Sequence, residues 1–175
     1  MDSRAIMTGY YYLDTSAQVK YYVSEPGTAW ICQLIDATDP DTGRRVNHLF
    51  TTTVTVAEAA AAFAIIARIG RISEQVRDWT FDRYMKTVSA DFHLLPVTEH
   101  LIDLAAHLTQ RYPLKGYDAV QVAAALHLQQ TLGPKRPLNF VAGDKSVIAA
   151  AQTEGLAVDN PFWHIAENES PSTLR

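Results

Sequence analysis

The sequence is poor in cysteine, and it has neither a long apolar run nor an excess of positive charge. Its 175 residues include one cysteine, Cys32, which cannot form an internal disulfide and fits a reducing compartment. The most apolar segment, VTVAEAAAAFAIIA, is about 14 residues long and contains Glu58, so it is too short to span a bilayer. The first residues do not show the cationic segment and following apolar stretch of a signal peptide, so we predict none. We therefore expect a cytoplasmic protein with no membrane partner.

Charge and composition narrow the class of protein further. The formal net charge is −4, so no overall positive field indicates a nucleic-acid partner. A bound metal cation would change the local sign, and the charge weakens that interpretation without excluding it. Hydrophobic residues at 47% and charged residues at 19% are typical of a globular chain. The length predicts a single domain, which we place at residues 1–163, and a flexible tail at 164–175.

Short β-prone runs alternate with helical patterns along the chain. The predicted strands are 10–14, 48–53, 93–97, 138–143 and, shorter, 156–161. The predicted helices are 16–23, 25–36 with Pro26 in the first position, 55–69, 73–92, 99–112, 117–128 and 144–155. This alternation predicts an α/β fold with a central, mostly parallel sheet of four to five strands, flanked by helices on both faces.

Four acids occupy matching places in this pattern. Asp14 ends the first strand, and Asp144 lies between the fourth strand and its helix. Glu58 falls in the first turn of the helix after the second strand, and Asp118 heads a helix that is apolar almost all the way round. Ligands of open α/β sheets bind at the carboxyl ends of the strands, where helix N-termini also gather. We therefore expect the four carboxylates to line one cleft.

Taken singly, each acid also has a purely structural interpretation. Thr55 with Glu58, and Asp118 with Gln121, have the spacing of a capping box. The acids after the first and fourth strands fit a turn residue and a helix N-cap. The conjunction favours a functional cluster, because all four acids lie at the same edge and three of them head helices too apolar for the surface.

Clustered carboxylates need compensation. Two of them about 5 Å apart repel by about 3 kcal/mol at an effective dielectric constant of 20, so four together take up protons or bind cations. Oxygen-only ligands, with no Cys or His nearby in sequence, favour Mg²⁺ or Mn²⁺ over zinc. Metal ions held in this way activate water and stabilise an in-line phosphoryl displacement. The residues therefore predict metal-dependent hydrolysis of a phosphoester.

Four segments resemble, in order and in register, the PIN-domain family, especially the VapC-type toxins of bacterial toxin–antitoxin pairs. These segments are YYLDTSAQVKYYVSEPG, TTVTVAEAAAAFA, LKGYDAVQVAAALHL and FVAGDKSVIAAAQTEGL, and the resemblance covers residues 10–161. It implies a small Mg²⁺- or Mn²⁺-dependent endoribonuclease. The family's four metal-binding and catalytic acids fall on Asp14, Glu58, Asp118 and Asp144. The resemblance also implies a homodimer and a cognate antitoxin that inserts a C-terminal segment into the active-site groove.

Three further positions follow from the same resemblance. The family's small hydroxyl residue, which positions ligands or phosphate, falls on Ser16, with Thr15 beside it. Some relatives carry a further acid shortly after the fourth, where this sequence has Lys145 and Ser146, so that ligand for a second metal is missing. Lys145 is either a phosphate contact or a solvated lysine at a helix end, and both interpretations stay open.

Several alternatives stand beside the ribonuclease. One is a PIN-like module that binds RNA or protein without efficient cleavage, against which the intact acidic set argues; another is a nuclease for a different substrate such as DNA. The calcium-loop-like DPDTG at 39–43 has Phe50 in the twelfth position, where a Glu is needed. The basic stretch from Arg68 to Lys86 is either a guide for RNA or a solvated face. The apolar residues around Trp79 and Phe81 are either core or a groove for a partner.

Overall fold

A single parallel sheet forms the centre of the computed structural model, which describes residues 9–165. Its strands are β1 (Tyr10–Leu13), β2 (His48–Thr52), β3 (Phe92–Leu95), β4 (Leu138–Val141) and β5 (Ala157–Asp159). They lie in the order β3-β2-β1-β4-β5, and each neighbouring pair is parallel. The predicted α/β fold is confirmed, and the sheet in these residues is parallel throughout.

Helices connect the strands within residues 9–165. They are α1 (Thr15–Tyr22), α2 (Thr28–Asp36), α3 (Val54–Arg68), α4 (Glu74–Asp91), α5 (Glu99–Arg111), α6 (Gly116–Leu132) and α7 (Lys145–Thr153), and a 3₁₀ helix (Pro161–His164) follows β5. Each helix predicted from the sequence is present, with ends shifted by a few residues. None of these helices combines the length and the apolarity that crossing a bilayer requires.

The start of α2 differs from the prediction, because Pro26 is not its first residue. Gly27 is the N-cap with φ of 89°, a left-handed conformation that glycine adopts without steric cost, and the helix begins at Thr28. The buried Thr28 hydroxyl accepts from the Glu25 backbone N–H at 2.9 Å and donates to the Lys20 carbonyl at 2.9 Å. These bonds hold the turn between α1 and α2, so Pro26 belongs to the turn.

The sheet divides the interior into two cores, because successive side chains of a strand point to opposite faces. Tyr12 of β1 and Phe140 of β4 pack with α5, α6 and α7. Leu13 of β1 and Leu49 of β2 pack with α1, α2, α3 and α4 on the other face. The predicted helical layers on both faces are therefore confirmed.

The direction of strand addition reverses between β1 and β4. From β1 the chain adds β2 and β3 on one side, and then crosses over to add β4 and β5 on the other. The carboxyl ends of the two central strands lie side by side: Leu13 pairs with Val141, and the Asp14 backbone N–H donates to the Val141 carbonyl at 3.0 Å. Such a reversal opens a crevice at the carboxyl edge of the sheet, which is the usual ligand site of open α/β folds.

The predicted tail lies mostly outside the described residues. Residues 166–175 belong to it, and the division into a domain at 1–163 and a tail at 164–175 stays a prediction. His164, the first residue of the predicted tail, ends the 3₁₀ helix, and its ring stacks on Trp30 with centroids 4.3 Å apart.

Candidate active site

A cleft of about 830 Å³ opens at the carboxyl ends of β1 and β4. The four acids singled out in the sequence, Asp14, Glu58, Asp118 and Asp144, all line it. They reach it from the start of α1, from α3, from α6 and from the start of α7. The fold thus brings together side chains that are far apart in the chain, as expected for a crevice at a strand reversal.

Asp14 is the most buried of the four acids, at 6% exposure. It is the N-cap of α1, and its Oδ1 accepts from the Ala17 backbone N–H at 2.9 Å and from the Ser16 hydroxyl at 2.7 Å. Burial raises the pKa of Asp14 to about 7, against these hydrogen bonds and helped by the negative charges of Glu58 and Asp118. Asp14 is therefore a buried carboxylate with acidic neighbours.

Asp144 is the N-cap of α7, so its structural interpretation was right. Its Oδ1 accepts from the Ser146 backbone N–H at 2.7 Å, the Ser146 hydroxyl at 2.6 Å and the Val147 backbone N–H at 3.3 Å. These bonds, led by the one from the Ser146 hydroxyl, hold the pKa of Asp144 below its ordinary value. Within residues 9–165, the hydrogen bonds that Asp14 and Asp144 accept all end on Oδ1, so no protein donor occupies Oδ2 of either acid.

Glu58 lies in the second turn of its helix, whereas the prediction placed it in the first. Because α3 begins at Val54, Glu58 is in the second turn, and the capping box with Thr55 does not form. The Thr55 hydroxyl is instead buried against the Thr51 hydroxyl at 2.8 Å. Glu58 Oε2 accepts from the Thr15 hydroxyl at 2.6 Å. Thr15, which the sequence placed beside Ser16 as a positioning residue, thus holds an acid of the cleft.

Asp118 lies in the first turn of α6, as predicted, and is half-buried. Burial raises its pKa, and the negative charges of Asp144 and Glu58 add to that effect while Lys115 opposes it. The predicted capping box with Gln121 is absent from α6, because the Gln121 amide faces Glu58, to which it donates at 2.6 Å. Asp118 therefore interacts electrostatically with the other acids of the cleft.

Two lysines that the sequence analysis did not single out line the cleft, and Lys145 does not. Lys115 is the N-cap residue of α6, three positions before Asp118, a spacing that was visible in the sequence. Lys20 is 2% exposed; its Nζ lies 3.1 Å from Glu25 Oε2 and 4.1 Å from the centre of the Phe162 ring. Lys145 is exposed, which favours its interpretation as a solvated lysine.

The basic stretch of α3 and α4 is largely paired with acids and rings. Arg77 lies 2.8 Å from Asp78, and the Arg83 guanidinium lies 5.8 Å from the centre of the Trp79 ring. Trp79 is 59% exposed, whereas Phe81 packs against the core beside Tyr84. Of the two aromatic residues, Trp79 therefore lies at the surface and Phe81 against the core. The pairing of its charges favours the interpretation of the basic stretch as a solvated face.

A divalent cation fits the donor chemistry of the cleft. Within residues 9–165, no three acidic, histidine or cysteine side chains lie close enough together to hold one metal ion in the present arrangement. The four carboxylates nevertheless share one cleft and offer only oxygen ligands. Burial raises the pKa values of Asp14 and Asp118, and repulsion from the neighbouring acids adds to the rise. Hard cations such as Mg²⁺ and Mn²⁺ take such ligands and would neutralise the repulsion.

The Ser16 hydroxyl ties the two central strands together at the floor of the cleft. It accepts from the Gly143 backbone N–H at 2.7 Å and donates to Asp14 Oδ1 at 2.7 Å. We expect Ser16→Ala to lower the free energy of unfolding by about 1.5–3 kcal/mol, because a bond to a charged group and a backbone partner are lost together. Urea unfolding measures this loss.

Ser89→Ala, which removes an exposed hydrogen bond at 3.1 Å to the Lys86 carbonyl, is the control and should change the free energy of unfolding by less than about 0.5 kcal/mol. Equal losses in both variants would contradict the assignment.

The parallel α/β fold and the acid-lined cleft define a class of protein that binds its ligand at the carboxyl edge of the sheet. The sequence model of the PIN domain family matches residues 11–132, which is more than half of the chain. The chain therefore belongs to the PIN domain family, and the resemblance noted in the sequence is confirmed. PIN domains form a family of nucleases that generally use divalent metal ions.

Solved structures with the same fold come from several organisms. PAE2754 of Pyrobaculum aerophilum is 19% identical with a TM-score of 0.56, and the match covers 88% of this chain and 92% of that one. A toxin–antitoxin complex of Klebsiella pneumoniae is 16% identical with a TM-score of 0.51, covering 86% and 96%. VapBC2 of Rickettsia felis, bound to a DNA fragment from its promoter, is 11% identical with a TM-score of 0.55, covering 86% and 98%. No curated protein sequence matches the chain significantly. At these identities the likeness concerns the fold.

Proposed function

We propose that the protein is a Mg²⁺- or Mn²⁺-dependent endoribonuclease that hydrolyses RNA phosphodiester bonds. The observation that carries this proposal is the convergence of four carboxylates on one cleft at the strand reversal of a PIN-family chain. The acids come from four separate elements, and the pKa values of Asp14 and Asp118 are raised by burial and by the charges of neighbouring acids. Such a cluster is costly without a cation, which is the reason to assign it to metal binding.

The cleft residues have distinct tasks in this proposal. The four acids would hold a Mg²⁺ or Mn²⁺ ion, which would supply water activation and charge stabilisation for an in-line displacement at phosphorus. Asp14 and Asp144 fix their Oδ1 atoms on helix N-termini, and within residues 9–165 no protein donor occupies Oδ2 of either acid, which would be open to a cation. Lys115 places a positive charge at the same cleft, where a backbone phosphate needs a contact.

We also propose that the enzyme is the toxin of a type II toxin–antitoxin pair and acts in the cytoplasm as a homodimer. Two of the structures with the same fold are a toxin–antitoxin complex and a VapBC protein, which supports an antitoxin partner. One wall of the cleft is apolar, which suits an inserted peptide segment; it is formed by Val19, Ala61, Ala62, Ile65 and Ile66. Such a segment would block access to the acids.

A cleavage assay tests the proposed chemistry. The protein is incubated with mixed cellular RNA, and in parallel with single- and double-stranded DNA, in Mg²⁺, in Mn²⁺ and in EDTA. We expect cleavage of RNA with either metal, none in EDTA, and intact DNA. Cleavage of DNA alone would identify a nuclease for another substrate. RNA binding without cleavage in either metal would identify a binding module.

The partner is tested separately. The product of the adjacent reading frame is co-expressed and co-purified with the protein. An antitoxin is expected to bind tightly and to suppress RNA cleavage at equimolar ratio, and size-exclusion chromatography with light scattering reports whether the chain is a dimer. A neighbouring product that neither binds nor inhibits would contradict the toxin assignment while leaving the nuclease assignment unaffected.

A further inference from the structure

We propose that Gln121 is a positioning residue of the active site, whose buried side-chain amide sets the orientation of the Glu58 carboxylate. The inference rests on the proposed metal-dependent nuclease function and deepens it, since it assigns the support of one of the four acids. Gln121 lies on α6, one turn after Asp118, and lines the cleft although it is only 2% exposed.

The Gln121 side chain is hydrogen-bonded at both ends. Its Nε2 donates to Glu58 Oε2 at 2.6 Å and to the Thr55 hydroxyl at 2.9 Å. Its Oε1 accepts from the Tyr12 hydroxyl at 2.6 Å. The amide therefore links the central strand β1 to the helix that carries Glu58.

Chemistry fixes which way the amide points. A carboxylate has no hydrogen to donate, so the NH₂ group of Gln121 must face Glu58 and the carbonyl must face Tyr12. The buried Tyr12 hydroxyl donates to that carbonyl at 2.6 Å. The strand thus holds the amide in the one orientation that serves the acid.

Two donors hold one oxygen of Glu58 and leave the other oxygen available. Oε2 accepts from Gln121 Nε2 and from the Thr15 hydroxyl, each at 2.6 Å, and these donors come from α6 and α1. Glutamate has a long side chain with several rotamers, and both bonds restrict it. Among the described residues, Glu58 Oε1 accepts no hydrogen bond, and it remains for a cation or its water.

A second glutamine on α6 provides a matched control. Gln129 is part-buried, and its partners are backbone groups: it accepts from the Leu138 N–H at 2.6 Å and donates to the Gly133 carbonyl at 3.1 Å. It does not line the cleft. Replacing Gln129 by Met removes hydrogen bonds from the same helix without touching an acid.

The test compares Gln121→Met with Gln129→Met and the wild-type protein. We expect both variants to melt at lower temperature. Only Gln121→Met should lower kcat for RNA cleavage, by about 10–100-fold with KM changed less than about twofold, because groups that orient metal ligands have effects of this size. Calorimetric titration of the metal-free protein with Mn²⁺ should show about tenfold weaker binding for Gln121→Met and unchanged binding for Gln129→Met.

Other outcomes overturn the inference. If Gln121→Met keeps wild-type kcat and Mn²⁺ affinity, or if Gln129→Met loses as much, the amide has only a structural role. If Gln121→Met does not fold, Tyr12→Phe replaces it in both measurements, since it removes the hydroxyl that holds the amide; wild-type values would then contradict the inference. A wild-type protein that binds Mn²⁺ without cleaving RNA would instead overturn the proposed function, and the Mn²⁺ titrations would still decide the role of Gln121.

Discussion

Asp118→Asn is expected to abolish divalent-ion-dependent cleavage of RNA while raising the melting temperature of the metal-free protein. The loss of one acid removes a ligand whose ion supplies several kcal/mol of transition-state stabilisation, so the rate should fall by about 1,000-fold, equivalent to about 4 kcal/mol. Stability should rise because burial and the charges of Asp144 and Glu58 disfavour the ionised carboxylate in the folded state, as the raised pKa of Asp118 indicates. Cleavage rates in Mg²⁺ and thermal melts in EDTA measure the two effects.

Asp103→Asn is the matched control for this experiment. Asp103 is an exposed acid on α5, outside the cleft, and its replacement should change neither rate nor stability appreciably. A variant at Asp118 that keeps cleaving RNA would contradict the cluster. If Asp118→Asn instead lowers stability by about 1 kcal/mol both with and without metal, the acid serves mainly the helix N-terminus.

The metal-free protein is expected to lose stability as the pH rises from about 4 to about 7. Asp14 has a pKa of about 7 in the folded state, against an ordinary value of 3.8, so the folded state holds its proton more tightly than the unfolded chain. The contribution of the protonated Asp14 carboxyl to the free energy of unfolding is fully present below pH 4 and is lost as the pH rises through 7. The pKa difference of roughly 3 corresponds to about 4 kcal/mol at 1.36 kcal/mol per unit. Urea unfolding at a series of pH values in EDTA measures it.

Asp14→Asn isolates this contribution. Asparagine keeps an oxygen that caps α1 as well as aspartate does, and it carries no titrating proton. The variant should therefore lose most of the slope between pH 4 and 7, leaving the smaller contribution of Asp118, whose pKa is also raised. Saturating Mg²⁺ should flatten the slope of the wild-type protein, because the ion binds the ionised carboxylates of the folded state. A slope that persists in Asp14→Asn would assign the pH dependence to other groups.

Much of the fold could be predicted from local patterns. Alternation of short apolar runs with helical periodicity is a local property, and it specified the strands, the helices and their order. N-cap chemistry is local as well: Asp14 and Asp144 each follow an apolar strand and accept from backbone N–H groups within three residues. The start of α2 was missed, because the left-handed Gly27 and the Thr28 hydroxyl bonds to Glu25 and Lys20 decide it.

The sequence by itself determined that the four acids lie at one edge of a parallel sheet, since Asp14 and Asp144 follow strands and Asp118 heads a helix, although Glu58 lies in the second turn of its helix and not in the first. Only the tertiary structure decided which partner each side chain takes. Gln121 has capping-box spacing from Asp118, yet it bonds Glu58, 63 residues away in the chain. Lys115 lines the cleft whereas Lys145 does not, although each lies close to an acid in sequence. A spacing of three residues fits a helix cap and a site residue equally well. The packing of α1, α3 and α6 at the strand reversal between β1 and β4 decides which of these two roles a side chain takes.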